Sequence, residues 1–191
     1  MRRKLGALVL AVGVLLLAFA GTSYARGAIA RAEARAAWAA IEARQARLDG
    51  IARLEQRQPS ELALGAPVGR LVVPSIGLDE VIVEGVDDET LNAGPGHLPG
   101  SVLPGERGNS VISAHRDRHF RPLARIEVGD TLQVETLRGR TSWVIVSRRI
   151  VRAGAPALFD TEEPTLTLTT CWPVRYFGSA PDRLLVQAIP L

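Results

Sequence analysis

The sequence is poor in cysteine and, over most of its length, in positive charge. Of its 191 residues only Cys171 is a cysteine. A single cysteine excludes an intramolecular disulfide and leaves a free reactive thiol, an intermolecular bridge or a small buried side chain. Residues 61–191 hold 13 Lys and Arg against 16 Asp and Glu. A nucleic-acid-binding domain concentrates positive charge on its folded face, so this balance argues against nucleic-acid binding.

Internal repeats and low-complexity segments are also lacking. The length accommodates one well-packed domain with appendages, and the 47% of hydrophobic residues supply a core and argue against global disorder. The excess of positive charge lies at the N-terminal end, where residues 1–60 hold 10 Lys and Arg against 4 Asp and Glu. We therefore expect one folded domain after a distinct N-terminal part.

The N-terminal part begins with a long uncharged run. Basic residues Arg2 to Lys4 are followed by 21 residues, from Leu5 to Ala25, that carry no charge. About 20 such residues span a bilayer core as a helix, and the basic residues before them hold the N-terminus in the cytoplasm. We expect residues 1–25 to be a signal anchor, with the rest of the chain outside the cytoplasm. The alternative is a secretory signal that is cleaved after Ala25.

Residues 26–68 are predicted to form a helical stalk and a linker. Residues 26–58 are rich in Ala, Arg, Glu and Gln and contain no proline. An intermittent apolar stripe that includes Trp38 allows this helix either to stand free or to pack on the following domain. Asp49-Gly50 is expected to break or kink the helix, and the Pro and Gly residues that follow position 58 mark the linker.

From residue 69 to residue 191 the pattern changes to short β-strands separated by Gly and Pro. Residues 165–169 alternate polar and apolar side chains, which is typical of a strand with one buried face. Many short strands in about 120 residues indicate a closed barrel or a sandwich. The predicted strands are residues 70–73, 81–86, 110–114, 131–136, 141–151, 165–170 and 184–189.

Three residues at strand ends are candidates for chemistry. Cys171 directly follows the best-alternating strand, His115 directly follows residues 110–114, and Arg183 directly precedes residues 184–189. A thiolate attacks carbonyl carbons, a nearby imidazolium favours the thiolate, and a guanidinium can direct several donors toward an oxyanion. Each residue also has a structural alternative, as barrel filling, strand capping or a surface charge. Sequence spacing alone does not show that the three converge.

Five motifs in this region resemble those of sortases. Thr167–Cys171 resembles the TLxTC signature, Ser113–Asp117 resembles the histidine segment, and Ala180–Val186 resembles the AP-x-R-hydrophobic strand. Residues 94–100 and 103–109 are further matches, and the order is that of the family. The resemblance is closest to the single-span class GN sortases of Gram-negative bacteria, with classes D and E next.

This resemblance implies a mainly β fold. An eight-stranded sortase-type β-barrel would be preceded in the chain by an N-terminal transmembrane helix and an Ala/Arg-rich helix. It implies a cysteine transpeptidase of the inner membrane with a periplasmic catalytic domain, which cleaves an LPxTG-like sorting signal between Thr and Gly. Cys171 would form a thioester, His115 would be the general acid and base, and Arg183 would hold the substrate and the oxyanion. The implied partners are a protein with a C-terminal sorting signal, an amine acceptor and the membrane; no cofactor, metal or nucleic acid is implied.

Substrate-binding residues are predicted at two places. Thr170, next to the cysteine, is a candidate for contacting the acyl group. Residues 153–164 lead into the cysteine strand and carry an apolar cluster that includes Ala157, Leu158 and Phe159. We expect this cluster to line the pocket for the leucine and proline of the signal, as the corresponding connection does in the family. The alternative is that Leu158 and Phe159 plug the end of the barrel.

Two other functions stay open as alternatives. An L,D-transpeptidase-like cysteine enzyme places Ser or His and Gly before the cysteine and Arg two residues after it, whereas Thr169-Thr170 precede Cys171 and the next arginine is Arg175. A papain-like protease has Cys before His, the reverse of the order here. A non-catalytic envelope scaffold is the alternative from a different class.

The remaining polar candidates are interpreted as structural or supporting. His115 and His119 have no third ligand at a telling spacing, which argues against a metal site. His97 lies in a Gly-Pro-Gly turn and is predicted to be structural, and Asp117 is predicted to support His115.

Overall fold

The computed structural model describes residues 2–48, 62–157 and 159–191. Within these ranges a long N-terminal helix precedes a closed β-barrel. The predicted break at Asp49-Gly50 and Leu158 of the predicted pocket lie outside the described residues.

Helix α1 runs without interruption from Arg2 to Leu48. The apolar segment and the first part of the predicted stalk therefore form one helix, which at 47 residues is about 70 Å long. Between Lys4 and Arg44 it is long and apolar enough to cross a membrane, with a mean hydropathy of 2.4 in its most apolar stretch. Its large apolar side chains from Leu5 to Phe19 are exposed, as a lipid-facing surface requires.

The second half of α1 docks on the barrel. The contact includes the Tyr24 ring, whose centroid lies 5.2 Å from the Arg118 guanidinium carbon. It also includes Gly27, which is buried and where a Cβ would lie 3.4 Å from the carbonyl oxygen of Asn92. Farther along, Ala34 and Trp38 are buried in a small apolar cluster that includes Val81. The Trp38 indole N–H donates to Glu42 Oε1 at 2.8 Å, which satisfies its polar group at the edge of the cluster. Trp38 and Ile41 of the apolar stripe thus lie on the docking face of the helix.

The barrel consists of eight strands among the described residues. The strands are β1 (Pro67–Val73), β2 (Leu78–Glu84), β3 (Gly96–His97), β4 (Asn109–Ala114), β5 (Thr131–Thr136), β6 (Gly139–Arg152), β7 (Thr165–Trp172) and β8 (Asp182–Pro190). They close in the order β1-β2-β3-β4-β7-β8-β6-β5, with β5 paired to β1. A short helix, α2 (Asp88–Ala93), lies between β2 and β3. The predicted eight-stranded barrel is confirmed.

The shortest strand, β3, is specified by close packing rather than by a pattern. A Cβ at Gly96 would overlap the carbonyl oxygen of Gly85, so only glycine allows the two backbones to approach. His97 is fully buried, with Nδ1 at 2.7 Å from Glu84 Oε2 and Nε2 at 2.9 Å from Ser101 Oγ. A buried polar network of this kind fixes the position of a strand that is too short to show alternation.

The strand with the clearest alternation, β7, is covered on both faces. Leu166 and Leu168 belong to the main core inside the barrel. Because successive side chains point to opposite faces, Thr167 and Thr169 lie on the outer face, yet they are only 0% and 8% exposed. The prediction of a single buried face is therefore wrong for β7. Over Thr167 this cover includes Asn109, to which the 153–164 segment is hydrogen-bonded.

Candidate active site

Three neighbouring strands bring the predicted catalytic residues to one end of the barrel. β4 and β7 are parallel with Ala114 beside Thr170, so the next residue, His115, lies at the level of Cys171. β7 and β8 are antiparallel, and Cys171 pairs directly with Arg183. Neighbouring strands are about 4.8 Å apart. The backbones of all three candidates are therefore adjacent at this end.

Cys171 and Arg183 also share a face. Their neighbours Thr170 and Leu184 are buried on the inner side of the same strands. Since successive side chains of a strand point to opposite faces, Cys171 and Arg183 point outward together. His115 directly follows Ala114, the last residue of β4, so the register places all three residues at one end of the barrel, which their spacing in the sequence does not show.

The Cys171 thiol and the Arg183 guanidinium make few polar contacts within the described residues. Cys171 is a free, half-buried thiol. Arg183 donates from Nη1 to the carbonyl oxygen of Asp182 at 3.0 Å. Within the described part of the chain the guanidinium has no carboxylate partner, so its other N–H donors are available to a bound molecule.

His115 is half-buried just beyond the end of β4. Burial lowers the pKa of its imidazole below the ordinary value of 6.5, and the positive charges of Arg118 and His119 lower it further. The carboxylates of Asp117 and Asp88 act in the opposite direction. Asp117 therefore supports the imidazolium form of His115 electrostatically.

Thr170 is held by the barrel rather than exposed to the groove. Its side chain is 2% exposed, and its hydroxyl donates to the carbonyl oxygen of Ala114 at 2.7 Å. This hydrogen bond joins β7 to β4 one residue before both Cys171 and His115. The contact of Thr170 with an acyl group stays a prediction.

The 153–164 segment covers the outer face of β4 and β7. Asn109, the first residue of β4, donates from Nδ2 to the carbonyl oxygen of Ala157 at 3.1 Å and accepts from the Thr167 hydroxyl at 2.8 Å. Arg107 Nε donates to the carbonyl oxygen of Glu162 at 3.3 Å. Ala157 and Phe159 are both half-buried. These contacts hold the segment beside the strand that ends in Cys171.

One residue near the site was missed by the sequence reasoning. The guanidinium of Arg116, directly after His115, donates to three carbonyl oxygens of the loop between β7 and β8. The loop sequence contains no acidic partner or pattern that would indicate this contact. Only the position of Arg116 beside His115 marks it as a candidate.

The two other histidines, His97 and His119, are buried and have carboxylate partners of their own. His97 is buried in its network with Glu84 and Ser101, in agreement with a structural role. His119 is buried with Nδ1 at 3.1 Å from Glu80 Oε1. Among the described residues no group of three or more His, Cys, Asp or Glu side chains is arranged to hold a metal ion.

Comparison with known proteins supports one family. The Sortase domain family matches residues 71–191, which includes all but the first few residues of the barrel. Sortase D of Bacillus subtilis (strain 168) is 37% identical over 124 residues, covering 64% of this chain and 63% of the relative. The chain thus matches less than two thirds of that relative's length.

Solved structures show the same fold. The Clostridium perfringens Sortase D5 transpeptidase has a TM-score of 0.67 at 22% identity and covers 87% of this chain and 99% of its own. Clostridium perfringens sortase C, solved with the C-terminal cell wall sorting motif, has a TM-score of 0.63 at 25% identity and covers 83% and 89%. Together with the family match, these similarities show that the chain belongs to the sortase family, whose members are cysteine transpeptidases.

Proposed function

We propose that the chain is a membrane-anchored sortase that cleaves an LPxTG-like sorting signal between Thr and Gly and transfers the acyl group to an amine. The observation that carries this proposal is the strand register, with Cys171 paired to Arg183 and level with His115. An acyl transfer needs a nucleophile, a proton carrier and an oxyanion stabiliser within reach of one carbonyl group. The three side chains at this end of the barrel can supply these roles.

In the first half-reaction the Cys171 thiolate attacks the carbonyl carbon of the substrate threonine. A C–S bond forms and the carbonyl oxygen becomes an oxyanion. When this intermediate collapses, the C–N bond to glycine breaks and the His115 imidazolium gives its proton to the leaving amine. The products are a thioester on Cys171, a free amine and a neutral imidazole.

In the second half-reaction a neutral amine attacks the thioester carbonyl carbon. A C–N bond forms, the C–S bond breaks and the thiolate leaves. His115 accepts the proton that the attacking nitrogen loses. The thiolate and the imidazolium are thereby restored, so His115 acts as acid in one half-reaction and base in the other.

Arg183 is proposed to stabilise the oxyanion in both half-reactions. A guanidinium stays protonated at any working pH and presents its donors in a planar fork. One Nη1 donor of Arg183 is fixed on the Asp182 carbonyl, which orients the group without using its other donors. A donor placed in advance costs no reorganisation when the charge develops.

Burial disfavours the protonated form of His115. An imidazole with the ordinary pKa is about 10% protonated at pH 7.5. The lowered pKa of His115 reduces this fraction. Because the first half-reaction needs the imidazolium as a proton donor, we expect slow turnover.

The acyl part of the substrate is proposed to lie on the outer face of β4 and β7. Thr167, four residues before Cys171, is about 13 Å away along the strand. Ala157 is bonded at that level through Asn109. In an extended LPxTG peptide the leucine lies about 10 Å from the attacked threonine. Ala157, Leu158 and Phe159 are therefore proposed to line the leucine and proline pocket.

Thr170 is proposed to contact the acyl group through its main chain. Its hydroxyl is bonded inward to Ala114 and is not available to the groove.

The anchor and the location are proposed from the N-terminal helix, and the class from sequence resemblance. The basic residues before the apolar run favour an N-terminus in the cytoplasm, and α1 is long enough to cross the membrane once. We propose an inner-membrane protein with its barrel in the periplasm. The class prediction is GN with classes D and E next, and the 37% identical Sortase D supports class D among these.

The proposal is tested by trapping the thioester. The full chain in detergent micelles is mixed with a synthetic LPxTG peptide and analysed by intact-protein and peptide mass spectrometry. We expect an adduct of the acyl fragment on Cys171 and release of the glycine-containing fragment. A peptide with Ala in place of Leu is the control. Absence of both adduct and cleavage would favour a non-catalytic scaffold.

A further inference from the structure

Arg116 connects the end of β4 to the loop that separates the nucleophile from Arg183. Its Nη1 donates to the carbonyl oxygen of Pro173 at 3.2 Å, and its Nη2 donates to those of Tyr176 and Gly178 at 3.0 and 2.9 Å. The guanidinium carbon also lies 5.8 Å from the centroid of the Tyr176 ring, within the range of a cation–π contact. One side chain thus holds the start, the middle and the later part of this loop.

The loop, residues 173–181, borders the reactive end directly. It leaves β7 immediately after the pairs that join Cys171 to Arg183 and Trp172 to Asp182. Its tip is exposed, and the Phe177 side chain has no cover within the described residues. The loop therefore owes its position beside His115 to Arg116 rather than to a core of its own.

The orientation proposed for the bound peptide places this loop on the side of Cys171 where the amine leaves and enters. In the proposed function the acyl part runs from Cys171 back along β4 and β7 toward Asn109 and Ala157. The leaving amine must then lie on the opposite side of the thioester, beyond the strand ends. That is where the 173–181 loop is held. The incoming amine occupies the same place, because attack on the thioester by an amine is the reverse of amine departure.

We propose that Arg116 is a positioning residue that holds the 173–181 loop as the wall of the binding site for the amine acceptor. This inference rests on the proposed function. The acceptor is a primary amine, and Arg116 acts on it through the loop, because three of its donors are already used by carbonyl oxygens. Lysine cannot replace it, since a single ammonium group cannot span three carbonyls in a fixed plane.

The test separates acylation from amine transfer. The full chain in detergent is acylated with an Leu-Pro-x-Thr peptide methyl ester. Cys171 displaces methanol, which is too small to reach the loop. The thioester is then partitioned between water and glycinamide, and the aminolysis and hydrolysis products are quantified. Variants Arg116→Lys and Arg116→Ala are compared with Arg175→Lys, a matched control in the same loop whose native side chain is exposed and has no polar partner in the described structure.

We expect both Arg116 variants to acylate within about 3-fold of the native rate, while the aminolysis-to-hydrolysis ratio falls at least about 10-fold, as expected when a reactant loses its positioning. The Arg175 variant should keep both values. An unchanged ratio in the Arg116 variants would overturn the inference. An equal fold-decrease in the rates of acylation and aminolysis, together with a lower melting temperature, would also overturn it, because this result would indicate a purely structural contact. If the Arg116→Ala variant does not fold, the aminolysis-to-hydrolysis ratio of the Arg116→Lys variant is the deciding measurement. Failure of the native chain to form any thioester would instead overturn the proposed function itself.

Discussion

The hydroxyl of Thr170 donates to the carbonyl oxygen of Ala114 at 2.7 Å, inside the barrel. This bond joins β7 to β4 immediately before Cys171 and His115. It adds a side-chain hydrogen bond to the parallel ladder at the point where the ladder ends. The spacing of the Cys171 and His115 side chains therefore depends on a hydroxyl that faces away from them.

We expect Thr170→Val to lower the free energy of unfolding by about 1–3 kcal/mol, because the variant loses a buried hydrogen bond. It should also lower kcat, since the strand ends are no longer tied. Thr170→Ser, which retains the hydroxyl, is the control and should keep most of the native kcat. Chemical denaturation and peptide cleavage measure the two effects. Equal kcat in the valine and serine variants would contradict this account.

Cys171→Ala should abolish cleavage and thioester formation while leaving the fold intact. The thiol is half-buried and makes no hydrogen bond in the described structure, so its loss is sterically mild. Circular dichroism checks the fold, and mass spectrometry checks for peptide cleavage. Cleavage by the alanine variant at the native rate would exclude Cys171 as the nucleophile.

Arg183→Lys should lower kcat by about 10²–10³, the usual cost of one lost oxyanion donor. A point ammonium cannot reproduce the planar fork of a guanidinium. Arg152→Lys is the matched control, because Arg152 is an exposed arginine on the neighbouring strand β6. Retention of more than about half of the native kcat by the Arg183 variant would make Arg183 a surface charge.

The pKa of His115 should respond in opposite directions to its two charged neighbours. Asp117 raises that pKa and Arg118 lowers it, so Asp117→Asn should lower it and Arg118→Gln should raise it. Proton NMR titration can follow this directly, because the chain has only three histidines. An unchanged His115 titration in both variants would show that solvent screens these charges.

The same lowered pKa has a consequence for stability. The unfolded chain binds a proton at His115 near pH 6.5, before the folded chain does. Stability is therefore lost as the pH falls from about 6.5 toward the folded pKa. His115→Gln should remove this part of the pH dependence of unfolding.

Leu158→Ala should lower kcat/KM for a leucine-containing peptide by about 10-fold or more, on the scale of 1–3 kcal/mol for lost apolar contacts in a specificity pocket. The argument rests on its neighbour Ala157, which Asn109 fixes beside β7. A peptide with Ala in place of Leu is the control. If Leu158 is instead a plug of the barrel, the variant should lose about 2–5 kcal/mol of stability and keep the ratio between the two peptides.

Most of the fold is predictable from the sequence because the longer strands carry their own patterns. The predicted strand 131–136 coincides with β5, and the other six predicted strands fall largely within observed ones. β3 is not predictable in this way, because a two-residue strand has no period and depends on the approach of Gly96 to Gly85. The outer cover of β7 is also hidden in the sequence, since it depends on Asn109, which lies 58 residues before Thr167.

The candidate site is predictable only in part. Local patterns place Cys171, His115 and Arg183 at strand ends, but their convergence depends on which strands are neighbours. The β4–β7 pairing joins segments more than 50 residues apart, and only the resemblance to a family indicates it. Arg116 escapes both kinds of reasoning, because its partners are backbone carbonyl oxygens that leave no signature in the sequence.

The unbroken helix α1 sets the distance between the membrane and the proposed active site. The apolar run ends at Ala25, and the buried contact at Gly27 follows about 3 Å farther along the helix axis. Trp38 is docked about 20 Å beyond Ala25. With α1 as the proposed anchor, the docked helix fixes the distance between the barrel and the membrane. A flexible linker would let that distance vary. In the proposed function, a substrate held in the same membrane must present its Thr–Gly bond at that distance from the membrane. The number of residues between its sorting motif and its own apolar segment is therefore confined to a narrow range.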